Sequence, residues 1–398
     1  MSLDRASIVG VGAVTGYGWG IDALWSGLRS GESAATLHPD LGDRFPAPCW
    51  FARVPQPAQA AQAAQEGAHG TGSTRYQQAF AYAVDEALAD AARSGWVPGR
   101  RVGIVHATTR GDLELFRARY LAWDTLRPRR AYVEQAWTKP SGDVMVRYKF
   151  TGPAMVVSSA CASGLHAVAV AQRLLTCGDV TDVIVVGADV GFDGEEMRLF
   201  NSLGPLIYDT PPRDACRPFQ THSRGFVLGE GVAAVVLTSR PTPSRYVGVL
   251  SSVMGNDAYH PVSINPDHRE MLRIVDDALE LAKIGAADVR YFAAHASGSS
   301  LCYDADAAVL AHLGPQVTGF GLKPLLGHCM GAAALLDSVA LAKACREGFL
   351  PVPELAVGAD AHPQLARNPL SYGHGITLQV GLGFGGNISM VVFGTDGH

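Results

Sequence analysis

Four side chains of this 398-residue sequence have the types and settings to act together: Cys161, His295, Lys323 and His328. Cys161 lies in MVVSSACASGLHAVAVAQRLL (155–175). There a run of β-formers, Met155 to Val157, gives way to small and apolar residues at helical spacing, with Gly178 as a C-cap. The first half reads as a buried strand and the second, from Ala162 to Leu175, as a helix, so the thiol stands at a strand-to-helix turn. Unpaired N–H groups and the positive end of the helix dipole would favour a thiolate there and hold a developing oxyanion. His295 ends an apolar strand and precedes the small polar run Ala-Ser-Gly-Ser-Ser, while Lys323 and His328 bracket Pro324-Leu325-Leu326-Gly327. One thiol, two imidazoles and an ammonium suit acyl transfer through a thioester. The sulfur attacks, backbone N–H groups take the oxyanion, and the imidazoles donate hydrogen bonds to a second carbonyl. A glycine-rich loop at 383–386 would bring more backbone N–H groups close to a ligand.

The elements that must position these groups can be read along the chain. Residues 6–14 alternate glycine with β-formers and run into a Gly-rich turn, Gly16 to Gly20. Gly10-Val11-Gly12 begins like a dinucleotide motif, but Thr15 stands where the third glycine belongs, and turn chemistry accounts for it better. Residues 55–73 read as a surface connection, and Thr74 as the N-cap of a helix with Tyr76, Phe80, Val84 and Leu88 on one face. A strand over 102–107 follows. Two helical pieces within 112–149 are then broken by Arg127-Pro128-Arg129-Arg130, a solvated basic face whose alternative is docking of an acidic partner. Residues 182–188 read as a strand covered on both faces, and 225–237 as a turn and strand.

From Arg245 the pattern gives a strand, a helix over 268–283, a strand over 289–293 and a helix from 304. A strand ending near Lys323, a helix over 328–346 and strands over 376–381 and 388–393 complete the chain. The same offset, 167 residues, separates Cys161 from His328 and Gly164 from Gly331, each pair opening an Ala-rich helix. That points to an internal duplication with Cys161 and His328 facing each other across a pseudo-twofold axis.

Composition narrows the function classes. With 47% hydrophobic and 17% charged residues the chain can bury a large core rather than stay disordered. A net charge of −5 argues against general nucleic-acid binding. Seven scattered cysteines, an odd number with no CxxC or CxxH pair, predict neither a disulfide framework nor a zinc site, and a reducing compartment. The N-terminal residues lack an apolar signal region and no 18-residue apolar run occurs, so a soluble, cytoplasmic protein is expected, with no membrane partner.

Taken together, the motifs resemble those of the elongating β-ketoacyl-acyl-carrier-protein synthases of the thiolase superfamily, nearly end to end. SSACASGLHA is similar to that family's nucleophile motif, and RPFQTHSRGFVLGEG at 217–231 to its RPFD…GFVLGEG segment. NDAYHP at 256–261 has a counterpart, HASGSS at His295 stands where the family carries HGTGT, KPLLGHCMGAA at Lys323 matches KSxTGHxxGAA, and GFGG at Gly383 matches as well. The resemblance implies an α/β, thiolase-like fold of two similar α/β halves in a five-layered α-β-α-β-α arrangement. The nucleophile would sit on an N-terminal half, 1–240, and His, Lys, His and the GFGG loop on a C-terminal half, 241–398.

It further implies Cys161 as the acyl-accepting nucleophile and His295 and His328 as ligands of the malonyl thioester carbonyl that stabilise the enolate formed on decarboxylation. Lys323 would hold the site electrostatically. The backbone N–H groups of Cys161 and Phe384 would form the oxyanion hole, with Phe384 also a gate. Ser297, Ser299, Phe200, Gly383 and Gly385 would contact substrate, Phe200 from the acyl pocket. No cofactor is implied, since phosphopantetheine arrives attached to the acyl carrier protein. The partners implied are that carrier and a second subunit, in a homodimer or a heterodimer with a related chain. Departures are concentrated around the histidines. Ala296, Ser297, Ser299 and Ser300 replace Gly, Thr, Thr and Pro; Tyr303 stands where an Asp is expected; Pro324 and Leu326 replace Ser and Thr; and Asn387 follows GFGG directly. These leave acyl-chain identity, and fatty-acid or polyketide use, open. The alternatives are a non-catalytic chain-length partner subunit, which replaces the nucleophile, and an acyltransferase or thioesterase, which has no need of Lys323 or a second histidine.

Overall fold

In the computed structural model the residues described are 6–42, 44–45, 47–57, 74–121, 132–242, 246–355, 360–373 and 375–394. Five strands of the first half, β1 (Ala6–Thr15), β2 (Val102–Ala107), β3 (Ala154–Val157), β4 (Asp182–Asp189) and β5 (Gly231–Thr238), lie in the order β1-β5-β4-β2-β3. Five of the second half, β6 (Val247–Asn256), β7 (Val289–Ala293), β8 (Thr318–Phe320), β9 (Ile376–Gly383) and β10 (Asn387–Gly394), lie in the order β6-β10-β9-β7-β8. Strand for strand the two orders are the same. β2 runs parallel to β3 and β4, as β7 does to β8 and β9, while the other neighbours in each sheet are antiparallel. The two sheets meet where residues 6–8 of β1 pair antiparallel with 247–249 of β6.

Helices complete five layers. α1 (Arg75–Arg93) and α2 (Lys139–Tyr148) cover the outer face of the first sheet, and α5 (Arg269–Ala282) and α6 (Ser300–Leu313) the outer side of the second. Between the sheets run α3 (Ser163–Thr176) and α8 (Met330–Glu347). The sequence reason is polarity. α5 has one apolar stripe, Met271, Ile274, Val275, Ala278 and Leu279, and faces water with the rest, whereas α8 is buried almost all round and has apolar or small residues on every side. The two central helices approach closely at Gly164. A Cβ there would lie 2.9 Å from the Leu335 nitrogen and 3.1 Å from the Gly331 oxygen, so only glycine permits the contact.

Several expectations need correction. β3 is not a buried strand: it is the free edge of its sheet, with Met155 40% exposed. α6 begins at Ser300 rather than 304, because the Ser299 hydroxyl caps it, accepting from the Cys302 N–H at 3.4 Å. The strand before Lys323 ends at Phe320, and Lys323 opens a short helix, α7 (Lys323–Leu326), with Pro324 in its first turn. Residues 226–229 make only isolated bridges before β5 starts at Gly231. Thr74 does cap α1, accepting from Gln77 N–H at 3.2 Å, and the 112–149 region holds helices at Leu113–Leu121 and α2. The basic run 127–130 and most of 55–73 lie outside the described residues.

Candidate active site

The turn from β3 into α3 is held by Ser163, whose hydroxyl accepts from the Ser159 N–H at 2.8 Å and donates to the Ala160 carbonyl. Ala160 takes a left-handed φ of 52°, which turns the chain sharply and presents Cys161 ahead of the helix. The thiol is only 7% exposed. Burial pushes it up to about 12, with the Lys323 ammonium pulling the other way. Burial thus works against the thiolate that the helix start and the Lys323 ammonium favour.

The end of β9 comes against this turn. A Cβ on Gly383 would lie 2.5 Å from the Ser159 oxygen and 3.1 Å from the Cys161 nitrogen, so glycine is required for the loop to bring the Phe384 backbone alongside Cys161. The loop is tied down on its outer side. Asn256 Nδ2 donates to the Gly385 carbonyl at 2.6 Å, Gly385 N–H to the Pro261 carbonyl at 2.7 Å, and Asn387 Nδ2 to the Phe384 carbonyl at 2.7 Å. Phe384 itself is 37% exposed at the cavity wall. Gly385 does not line the cavity; it anchors the loop instead.

The second half supplies both imidazoles. His295 lies just past β7, and its Nδ1 accepts from the Leu382 N–H at 3.3 Å, which assigns the ring proton to Nε2. His328 precedes α8, with its backbone N–H on the Val227 carbonyl at 2.7 Å and its ring edge-on to Phe226 at 4.8 Å. The two rings sit 5.6 Å apart at 83°. Burial, and then the Lys323 ammonium, hold both well below the ordinary histidine value, with His328 adding to the effect on His295. Both are neutral near pH 7 and carry an N–H to donate.

Lys323 is buried and donates to the His295 carbonyl oxygen, 3.9 Å from the Asp337 carboxylate on α8. It stands behind His295 rather than in the cavity wall. Cys161, His295 and His328 open together on a cavity of about 370 Å³, joined by Ser297, Ser299 and Phe200. The Ser297 and Ser299 hydroxyls lie 3.3 Å apart. So the structure brings the thiol and imidazoles to one space and puts the ammonium in their support.

Three carboxylates in this support escaped the sequence reading. Asp306 accepts the N–H groups of His295 and Ala296 at 3.1 and 2.8 Å, and burial pushes it up to about 7. Asp337, raised to about 6 by burial, neighbours Lys323. Asp189, also raised to about 6 by burial, accepts from Gly331 N–H at 2.7 Å and fixes the start of α8 to the end of β4. A carboxylate at an apolar helix position was the available signal for Asp306 and Asp337. Glu230, in the GFVLGEG segment, shows why that motif is needed: its buried carboxylate accepts the N–H groups of Val54, Gly191 and Phe192 and the Arg75 guanidinium. Among the described residues no group of three or more His, Cys, Asp or Glu side chains is arranged to hold a metal ion, and all seven cysteines are free.

The Beta-ketoacyl synthase N-terminal domain family matches residues 4–242, and its C-terminal domain family residues 246–355. The chain belongs to the β-ketoacyl synthase family. The synthase is 30% identical to the tetracenomycin polyketide synthase ketoacyl synthase alpha subunit of Streptomyces glaucescens, over 98% of this chain and 96% of that one. It is 27% identical to 3-oxoacyl-[acyl-carrier-protein] synthase 2 of Rhizobium meliloti (strain 1021), over 99% and 100%. Among solved structures, a chain from a complex of a type II polyketide acyl-carrier protein with its ketosynthase superposes with a TM-score of 0.84 at 22% identity, over 99% of this chain and 100% of that one. A β-ketoacyl synthase from Burkholderia phymatum gives 0.82 at 22%, over 99% of both chains. Those two show a shared thiolase-like fold.

Proposed function

We propose that the synthase joins an acyl group held on Cys161 to the two-carbon unit of a malonyl thioester, both delivered by acyl carrier protein, in fatty acid or polyketide biosynthesis. The observation that carries this is one cavity shared by a buried thiol and two neutral imidazoles. In the first step the Cys161 sulfur attacks the carrier thioester. The oxyanion is held by the backbone N–H groups of Cys161 and Phe384, and the thiol proton leaves with the departing pantetheine sulfur. In the second, His295 and His328 donate to the malonyl thioester carbonyl while its carboxylate leaves as CO2. The resulting enolate carbon attacks the acyl carbonyl, and the released Cys161 sulfur takes up a proton.

Lys323, on the His295 carbonyl, keeps that imidazole neutral and in place. Residues 1–240 thus contribute the nucleophile, and residues 241–398 the groups that stabilise charge. Ser297 and Ser299 serve the pantetheine arm, and no resident cofactor takes part. The intact Cys161 favours catalysis over the role of a chain-length partner. The free edge of β3 and the exposed Trp137, Val146 and Met155 near it support pairing with a second copy or a related subunit. Among the described residues no helix is long and apolar enough to cross a membrane, and we place the synthase in the cytoplasm.

Incubation with acyl-carrier thioesters followed by intact-mass and peptide analysis tests this reading. A single acyl addition on Cys161 is expected, with Cys161→Ala losing both the addition and condensation. Labelling elsewhere, or acylation without carbon–carbon bond formation from malonyl carrier, would overturn it.

A further inference from the structure

We infer that Arg110, stacked on Phe200, forms a charged backing to the end of the acyl cavity and limits the synthase to short acyl chains. This rests on the condensing reading and names the substrate class of that site. Phe200, on α4 (Gly194–Ser202), is 5% exposed, lines the cavity with Cys161, and shares an apolar cluster with Cys161, Phe226 and Met330. Arg110, in the loop after β2, is not part of the cavity wall. Its guanidinium lies 5.6 Å from the centre of the Phe200 ring.

The cation is held by its surroundings. Arg110 Nη1 lies 3.9 Å from Glu196 Oε1, and the same carboxylate takes Arg117 at 3.1 Å and accepts the Asp193 N–H at 3.0 Å in the capping box of α4. The backbone before it is pinned as well, since Thr109 N–H donates to both Asp189 oxygens at 3.1 and 3.2 Å. The ring, its carboxylate and two guanidinium groups therefore form one tied unit around a helix start.

That unit decides what a growing alkyl chain meets. If Phe200 swung aside, the space behind it would present a guanidinium and a carboxylate instead of apolar side chains. Pushing Arg110 aside to admit methylenes would take from the buried Glu196 carboxylate one of the two guanidinium groups that face it. An alkyl chain therefore stops at the ring. An apolar residue at 110 would let the ring yield and the cavity deepen.

The test compares acylation rates of Cys161 with acetyl-, hexanoyl- and dodecanoyl-carrier in the wild type, Arg110→Ala, Arg110→Lys and Phe200→Ala. The wild type should take dodecanoyl at least about tenfold more slowly than acetyl, and Arg110→Ala and Phe200→Ala should each raise the dodecanoyl-to-acetyl ratio about tenfold. Arg110→Lys, which keeps the charge beside Glu196, should fall between wild type and Arg110→Ala and covers the case in which the alanine variant does not fold. A wild type that accepts dodecanoyl as readily as acetyl, or a ratio unmoved by both Arg110 variants, overturns the inference. Failure of every thioester to label Cys161 would instead defeat the condensing reading, so the two failures are distinct.

Discussion

The two halves of the synthase share one strand order but use equivalent positions differently. The third strand of each parallel run is the clearest contrast. In the first half β3 is an open edge, while in the second half the neighbourhood of β8 is closed by residues 364–366, where Gly319 donates to the Gln364 carbonyl and accepts from Ala366 N–H. Histidines on or just past the second strand also differ. His106 on β2 is sealed behind α1, sharing a 2.7 Å hydrogen bond with the Tyr76 hydroxyl, whereas His295 past β7 opens on the cavity. The helix starts at Cys161 and His328 carry the remaining contrast, sulfur against imidazole. A duplicated scaffold brings two equivalent corners to one space, and each corner is then free to take a different chemical task. The half that carries Cys161 has the open edge, and the half that carries His295 and His328 has the closed one.

The largest effect that would break this comparison concerns the division of chemistry. His295→Ala and His328→Ala should each slow malonyl decarboxylation about 100- to 10,000-fold while slowing self-acylation of Cys161 less than about tenfold. Rapid-quench measurement of CO2 release and acyl-enzyme formation checks it, and equal losses in both steps would show that the halves do not divide the work as described. The open edge gives the next largest effect. Met155→Lys should weaken self-association, or association with a related subunit, by about 30-fold or more, measured by sedimentation over a concentration series. An unchanged association constant would place the interface elsewhere.

The buried histidine of the first half offers the smallest and sharpest readout. Burial takes His106 from the ordinary 6.5 to about 4. The unfolded chain therefore binds a proton below 6.5 that the folded one refuses, so the stability contribution is complete above 6.5 and is lost as pH falls toward 4. The loss is about 1 kcal/mol for the first unit below 6.5. Urea unfolding at pH 6.5 and 5.5 should show His106→Gln free of that part of the acid sensitivity. An identical pH slope in variant and wild type would mean that His106 is protonated in the folded state.

Much of this was legible in the chain because it is local. The helix of Tyr76, Phe80, Val84 and Leu88 shows in its period and its Thr74 cap. The repeat shows in the matched spacing around Cys161 and His328, and the glycines of the GFGG loop in a close approach that no other residue allows. What was not legible depends on neighbours distant in sequence. β3 reads as buried by composition, but whether a strand is central or an edge is decided by what pairs with it. Asp306 was missed because the backbone it supports, at His295 and Ala296, precedes it by a helix start whose position Ser299 sets.

From the sequence alone came the candidate reacting groups: a thiol at one helix start, imidazoles at a strand end and at the matching helix start, an ammonium between them. Tertiary structure decided their state. Packing removes water from Cys161, His295 and His328, which pushes the thiol up and both imidazoles down; for the thiol this opposes what the helix start alone would favour. It also withdraws Lys323 behind His295 and sets Arg110 behind Phe200. Solvation and burial are sums over the whole fold, and no short stretch of chain carries them.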